Sequence, residues 1–324
     1  HPSTTAIEYI WERFTGSMLS PDSLSILKEW KDIQKAINHK PFQPESEAYK
    51  RFISQTLLKM ERLNEKFPYF DMTNEVEIGA DAKKLHDAPV SILLTDSRRL
   101  SFPEQSLFFA LQTKTNDGHN YIQGLYKLRV RNFVVSTFLP EFESMPKANF
   151  LVVKDTLKAL QKLAAHHRKR FNIPVIGITG SNGKTIVKEF LYQLLHNEFN
   201  IVRSPRSYNS QLGVPLSVWQ MSDKNTLGIF EAGISQPDEM ERLQPIIAPT
   251  IGVITNIGEA HQENFISSTQ KCLEKLTLFN DCEAIIYDGD DAFIANCIES
   301  ACLSHKAITW SRTDSEAPLY IESI

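Results

Sequence analysis

Through the first seventy residues, apolar positions recur at helical spacing. IEYIWERFTG closes on a glycine, and Ser20 followed by Pro21 can cap PDSLSILKEWKDIQKAI. In SEAYKRFISQTLLKMERLNEKF, Ile53, Leu57 and Met60 fall at i, i+4 and i+7. These signals predict a helical module over residues 1–72, with Trp30, Ile53, Leu57 and Met60 in its core. After Pro68-Tyr69-Phe70-Asp71 the pattern shortens. VSILLTD, LFFAL and NFVVSTF are β-type runs separated by polar turns and by the helical YIQGLYKLRVR, predicting a smaller mixed α/β domain over 73–152. From 153 onward a helix near 155–170 leads into strands at 173–179, 200–203, 227–231, 250–256 and 283–287. Helices at 184–197, 212–221, 237–245 and 267–279 lie between them. Such alternation makes residues 153–324 an α/β unit with a doubly wound parallel sheet, whose ligands bind at the carboxyl ends of the strands.

Composition changes this picture little. The chain has 324 residues, 42% hydrophobic and 23% charged, which suits about two or three soluble globular domains. A net charge of −4 lacks the basic excess of a nucleic-acid binder, so no nucleic-acid partner is expected. HPSTTAIEYIWERF has no signal-peptide core, and no run approaches the ~18 apolar residues of a membrane span. The expectation is a cytoplasmic protein. Cys272, Cys282, Cys297 and Cys302 have no metal-site spacing and read as reduced, structural thiols. His166 and His167 fall in the charged last turn of the 155–170 helix and read as solvated cations.

The candidate chemistry begins at GITGSNGKT, residues 177–185, which follow an apolar strand and precede a helix. Gly180 and Gly183 allow successive backbone N–H groups around Ser181 and Asn182 to converge on an anion, and the helix adds its positive end. Lys184 can reach terminal phosphates while the Thr185 hydroxyl serves Mg²⁺. The general phosphate-loop pattern puts a glycine five residues before Gly183; here that position is Ile178 and the glycine is Gly177. Downstream, LGIFEAG sets Glu231 at the end of a strand, and VITNIGEAH sets Asn256, Glu259 and His261 after the next. Strand ends that converge with the loop point to a shared metal–phosphate site.

Together these stretches resemble the Mur ligase family, which uses ATP to join amino acids or peptides to UDP-N-acetylmuramic acid. TGSNGKT resembles its ATP loop, shifted glycine included. EAGISQPDEMERLQPIIAPTIGVITNIGEAHQENF resembles the branch that adds D-Ala-D-Ala to UDP-MurNAc-tripeptide. LLTDSRRLSFPEQSLFFALQTKTNDGHNYI resembles the family's UDP-binding domain. By that likeness Thr95, Asp96, Ser97 and Arg98 would line the uridine-diphosphate and sugar pocket, with Asp117, Gly118 and His119 near it; a hydroxyl and a guanidinium fork suit a diphosphate. Lys275 lies 14 residues after His261, where the family carries a carbamylated lysine. SYNSQLGVPLSV resembles the segment that would make Asn209 a substrate contact.

The resemblance implies an ATP-dependent amide ligase working through an acyl phosphate. Lys184 would steady the transferring γ-phosphoryl group, Thr185 and Glu231 would hold one Mg²⁺, and His261 with a carbamylated Lys275 another. It covers about 75–324. Family members continue beyond SEAPLYIESI with the rest of the sheet and a third domain, and LSFPEQSLFFAL with NDGHNYI resembles the ligase half of bifunctional ligase–alanine racemases, so further chain is expected there. The 1–72 module, whose partner is open, faintly resembles membrane-associated anti-sigma regulators through FTGSMLSPDSLSILKEW. A folylpolyglutamate-synthase-like ligase, a phosphate-loop kinase and a regulatory protein that binds UDP-sugar and ATP without turnover remain alternatives on sequence alone.

Overall fold

A computed structural model describes residues 82–83, 90–258 and 262–322. The helical module expected over 1–72, Trp30, Ile53, Leu57 and Met60 included, lies outside the described residues, as do Glu259 and His261. In chain order the first elements are β1 (Ala82–Lys83), β2 (Ile92–Leu94), β3 (Ser106–Phe109), α1 (Ile122–Lys127), β4 (Asn132–Val135) and β5 (Asn149–Val152). The chain divides into two compact units, His1–Asp87 with Asn149–Val152, and Ala88–Ala148 with Val153–Ile324. In the first, β1 and β5 pair antiparallel, Ala82 opposite Leu151. In the second, β4, β3 and β2 run parallel in that order. Phe108, Phe109 and Phe133 on these strands are buried, which is why LFFAL and NFVV read as strands.

The second unit continues through α2 (Thr156–Arg168), β6 (Val175–Thr179), α3 (Lys184–Leu195), β7 (Ile201–Arg203), α4 (Gly213–Val218), β8 (Leu227–Glu231), α5 (Met240–Ile247), β9 (Ile251–Ile254), α6 (Ser268–Leu276), β10 (Ala284–Asp288), α7 (Ala292–Ser300), β11 (Ala307–Ser311) and β12 (Leu319–Tyr320). Its seven strands lie in the order β12-β11-β10-β9-β6-β8-β7, every pair parallel. All five residues of β6 are buried, and successive side chains serve opposite faces. Val175 packs with Phe230, Leu243 and Ile246 on one face; Ile176 and Ile178 meet Val187, Leu191 and Leu195 of α3 on the other. The doubly wound class expected from the sequence is thus the observed one. The chain leaves β6 toward β7 and β8, then crosses to β9 on the other side. The strand order therefore switches at β6, and its carboxyl end is where a crevice opens.

The helix over 212–221 is observed as the shorter Gly213–Val218, and α7 and β11 add a strand-helix pair that the expected elements did not include. Cys272, Cys282 and Cys297 are buried in the core and Cys302 is exposed. His167 departs from the solvated reading. Its ring sits 4.5 Å from that of Trp219 and 4.9 Å from that of Phe171, its Nε2 is 3.0 Å from the Met221 carbonyl, and burial lowers its pKa. The buried cation in this turn is Arg168. Its Nε donates to Ile247 O at 2.8 Å, Nη1 to Phe171 O at 2.6 Å and Nη2 to Ala248 O at 3.0 Å, capping the end of α5. No helix among the described residues is long and apolar enough to cross a membrane.

Replacing Arg168 by Leu strips three buried carbonyls of charged donors and should cost about 3 kcal/mol. Urea unfolding checks this as a lower midpoint with an unchanged slope.

Candidate active site

The loop after β6 is shaped by a close approach. Gly180 has φ +139°, and a Cβ there would stand 2.0 Å from Thr255 Oγ1, so no side chain fits; Gly183 turns the chain at φ +80° into α3. The segment after β9 straps the loop down. Asn256 O accepts from Ser181 N at 2.7 Å, Asn256 Oδ1 from Asn182 N at 2.9 Å, and the Thr255 hydroxyl donates to Asn182 O at 2.6 Å. Gly258 N donates to Ser181 Oγ at 2.9 Å. Asn256, expected as a cofactor contact, here braces the loop that would make the contact.

Three functional groups meet at this loop. Lys184 opens α3 and its Nζ donates to Gly180 O at 2.8 Å and Ser181 O at 3.0 Å; burial lowers its pKa, against the pull of Glu231. Lys275, buried on α6, reaches the same Gly180 carbonyl at 3.2 Å. Burial first, then the charges of Lys184 and Lys271, bring the Lys275 ammonium down to about 8. Glu231 ends β8 with no solvent exposure, and its Oε2 accepts from the Thr185 hydroxyl at 3.0 Å and from Asn209 Nδ2 at 3.4 Å. Among the described residues no group of three or more His, Cys, Asp or Glu gathers into a metal cage. A carboxylate beside a hydroxyl is nevertheless the hard-oxygen set that fits Mg²⁺, which takes its other ligands from phosphates and water. Gly180, Ser181, Lys184, Asn209 and Lys275 line one cavity of about 680 Å³.

The sequence reading missed Lys188. It lies one turn beyond Lys184 on α3, fully buried, with Nζ 2.9 Å from Glu231 Oε1. The available signal was a lysine on the inward face of an amphipathic helix, four residues after the loop lysine.

A second cavity, of about 950 Å³, is lined by Thr95, Asp96, Ser97 and Arg98 together with Tyr208 and Trp219. Asp96 caps the turn that follows, and its carboxylate takes Arg98 Nε at 2.9 Å and Nη2 at 2.8 Å, which holds Asp96 near 2. The Arg98 fork is thus engaged by Asp96, while Arg99 reaches the Tyr208 hydroxyl. Asp117 and His119 form a brace beside this cavity. Asp117 Oδ1 lies 2.6 Å from His119 Nδ1, and His119 Nε2 accepts from Ser136 N at 3.0 Å, which puts the ring proton on Nδ1. Gly118 between them lines the cavity and leaves no room for a Cβ, which would come 2.7 Å from Ala110 Cα.

A phosphate loop at the switch point of a parallel sheet, with a buried acidic strand end beside it, defines a phosphate-loop α/β protein. Residues 178–323 match the Mur ligase middle domain. Relatives include the UDP-N-acetylmuramoyl-tripeptide–D-alanyl-D-alanine ligases of Bacillus subtilis, 31% identical over 62% of this chain and 44% of theirs, and of Synechocystis sp., 35% identical over 61% and 43%. The chain thus spans less than half the length of these relatives. The crystal structure of MurF from Acinetobacter baumannii aligns with a TM-score of 0.65 at 26% identity, over 72% of this chain and 50% of that one. Residues 30–78 match the C-terminal domain of GSCFA domain proteins.

Gly180→Ala should cost about 3 kcal/mol or more, since the residue must leave its conformation or displace Thr255. A thermal melt of the variant with and without MgADP checks it: a lower midpoint and no shift on adding nucleotide are expected.

Proposed function

We propose that this chain carries the ATP-binding and nucleotide-sugar-binding parts of a cytoplasmic ligase that adds D-Ala-D-Ala to UDP-MurNAc-tripeptide. The observation that carries the reading is the convergence of Lys184 and Lys275 on one carbonyl, Gly180 O, in the cavity that also holds Asn209, with the Thr185–Glu231 pair alongside. In this reading residues 73–152 bind the UDP-sugar through Thr95, Asp96, Ser97 and the Arg98–Arg99 turn, and residues 153–324 bind ATP.

The terminal carboxylate of the tripeptide attacks the γ-phosphorus of ATP, the bond to the bridging oxygen of ADP breaks, and an acyl phosphate forms. The D-Ala-D-Ala amine then attacks the acyl carbon, loses a proton, and inorganic phosphate leaves. No protein nucleophile is needed; the chain supplies position and charge. With the Ser181 and Asn182 N–H groups donated to Asn256, the N-terminal end of α3 cradles the phosphates, and Lys184 exchanges its bonds to Gly180 O and Ser181 O for phosphate oxygens. Thr185 and Glu231 would hold Mg²⁺, which neutralises charge on the phosphoryl oxygens. Asn209 faces the substrate side. His261, named from the sequence as a ligand to a second Mg²⁺, keeps that proposed role with Lys275.

Lys275 suits carbamylation because its amine is buried and its pKa lies near 8. Its nitrogen adds to CO₂, a proton is released, and the product carries a negative oxygen where a cation stood. Below about pH 8 the unreactive ammonium form predominates, so the carbamate should accumulate as pH rises from 7 to 9, most steeply through pH 8. With ¹³C-bicarbonate, a carbamate carbon resonance is expected in the wild type and none in Lys275→Arg. A spectrum without it removes Lys275 as a metal ligand.

The reaction itself is tested by phosphate release from MgATP with UDP-MurNAc-tripeptide and D-Ala-D-Ala added singly and together. Release that requires both, with a pentapeptide nucleotide found by mass and a loss of at least about a hundredfold in Lys184→Ala, is expected. Release without the dipeptide would favour a kinase. Tripeptide binding without release would favour a sensor.

A further inference from the structure

We infer that Lys188 is a positioning residue that presents Glu231 to the phosphate loop by a single oxygen and ties that presentation to the loop carrying Asn209. This rests on the reading of Glu231 as the magnesium carboxylate. Lys188 has no solvent exposure, and four acceptors surround its ammonium. Glu231 Oε1 stands at 2.9 Å, Glu189 Oε1 at 3.2 Å and the Ser204 carbonyl at 2.8 Å, and the Arg206 carbonyl also accepts from it.

Two consequences follow from that arrangement. First, with Oε1 turned to Lys188, only Oε2 of Glu231 points to the loop, where it meets the Thr185 hydroxyl and the Asn209 amide. A carboxylate with one oxygen ion-paired to a buried ammonium is held toward a cation by its other oxygen, so that geometry is set before the cation arrives. Second, Arg206 sits in the left-handed region at φ +51°, a conformation that a non-glycine residue holds only when its surroundings impose it. Lys188 holds the carbonyl of that residue, and the next three residues are Ser207, whose hydroxyl lies 3.3 Å from Thr185 Oγ1, Tyr208, which meets Arg99, and Asn209. One ammonium therefore aligns the acidic strand end, the loop helix and the segment shared by the two cavities.

A lysine that merely filled space would be replaceable by a similar apolar chain at a cost in stability alone. A positioning lysine would change how nucleotide binding depends on Mg²⁺. The experiment uses the full chain, N-methylanthraniloyl-ADP as fluorescent probe, and Mg²⁺ titrated at fixed nucleotide, for wild type, Lys188→Met, Lys188→Gln, Glu231→Gln and the Lys188→Met/Glu231→Gln double variant. The Mg²⁺ concentration at half-maximal binding should rise about tenfold or more in each Lys188 variant, while binding of the probe without Mg²⁺ changes less than about twofold. The double variant should be no worse than Glu231→Gln alone within about twofold, because both substitutions remove one device. Should Lys188→Met fail to fold, as a melt would report, Lys188→Gln carries the test, since its amide keeps donors for the two carbonyls. If Glu231→Gln leaves the Mg²⁺ dependence unchanged, the reading of Glu231 falls and the inference with it. If Glu231→Gln shifts it and both Lys188 variants leave it unchanged, or the effects in the double variant simply add, the inference alone is overturned.

Discussion

A carboxylate with no solvent exposure has to be compensated where it stands, and Glu231 is the point from which the rest of this site is organised. Burying an isolated charge is far costlier than any single contact in a fold can repay, so the groups around it are fixed in advance. Lys188 supplies the opposite charge at 2.9 Å, and Thr185 and Asn209 donate to the other oxygen at 3.0 and 3.4 Å. Thr185 belongs to the helix that starts at the phosphate loop, Glu231 to the neighbouring strand, and Asn209 to the connection ahead of α4. Satisfying one buried anion thereby brings three elements into register at the switch point of the sheet.

The phosphate loop itself is held from the opposite side. Gly180 and the Thr255 side chain approach too closely for any Cβ, and Thr255, Asn256 and Gly258 between them satisfy Ser181 and Asn182. The N–H groups of Ser181 and Asn182 are themselves taken by Asn256, so the rigidity of the loop comes from this neighbouring segment. This explains why the pattern TGSNGKT and the pattern TNIG occur in one chain: the second is the scaffold of the first.

The larger elements were legible because burial imposes period. VIGIT and LGIFE are continuous apolar runs that only a strand covered on both faces would carry, and GKT after such a run marks the turn into a helix. What stayed hidden depends on which partner each side chain takes, near or far in sequence. Lys188 reads as an ordinary helix lysine until Glu231, Ser204 and Arg206 are placed around it. The TDSR turn suggests a free guanidinium, yet Asp96 sits two residues before Arg98 and closes on it, leaving Arg99 to reach across to Tyr208. His167 looked solvated by its position in a helix end, but a Trp219 ring more than fifty residues away covers it. For Lys188 and His167 the deciding partner lies far away in the chain, whereas for Arg98 it is a near neighbour that closes the fork locally.

The electrostatics of the loop give this geometry a direction. Lys184 and Lys275 meet at the Gly180 carbonyl, so the cavity side of the loop holds two ammonium groups largely away from water. The lowered pKa of Lys184 and the value near 8 for Lys275 express that cost, set chiefly by burial and, for Lys275, next by the neighbouring ammonium groups. Anything that brings negative charge to this place, a polyphosphate at the N–H groups or a carbamate on Lys275 itself, relieves repulsion as well as forming hydrogen bonds. The two events draw on the same repulsion, so a second anion gains less than the first unless a cation stands between them. A site built this way binds its anion through the discomfort of its own cations, and the buried Glu231–Lys188 pair keeps that charge pointed at the cavity by leaving the carboxylate unable to swing over and neutralise it.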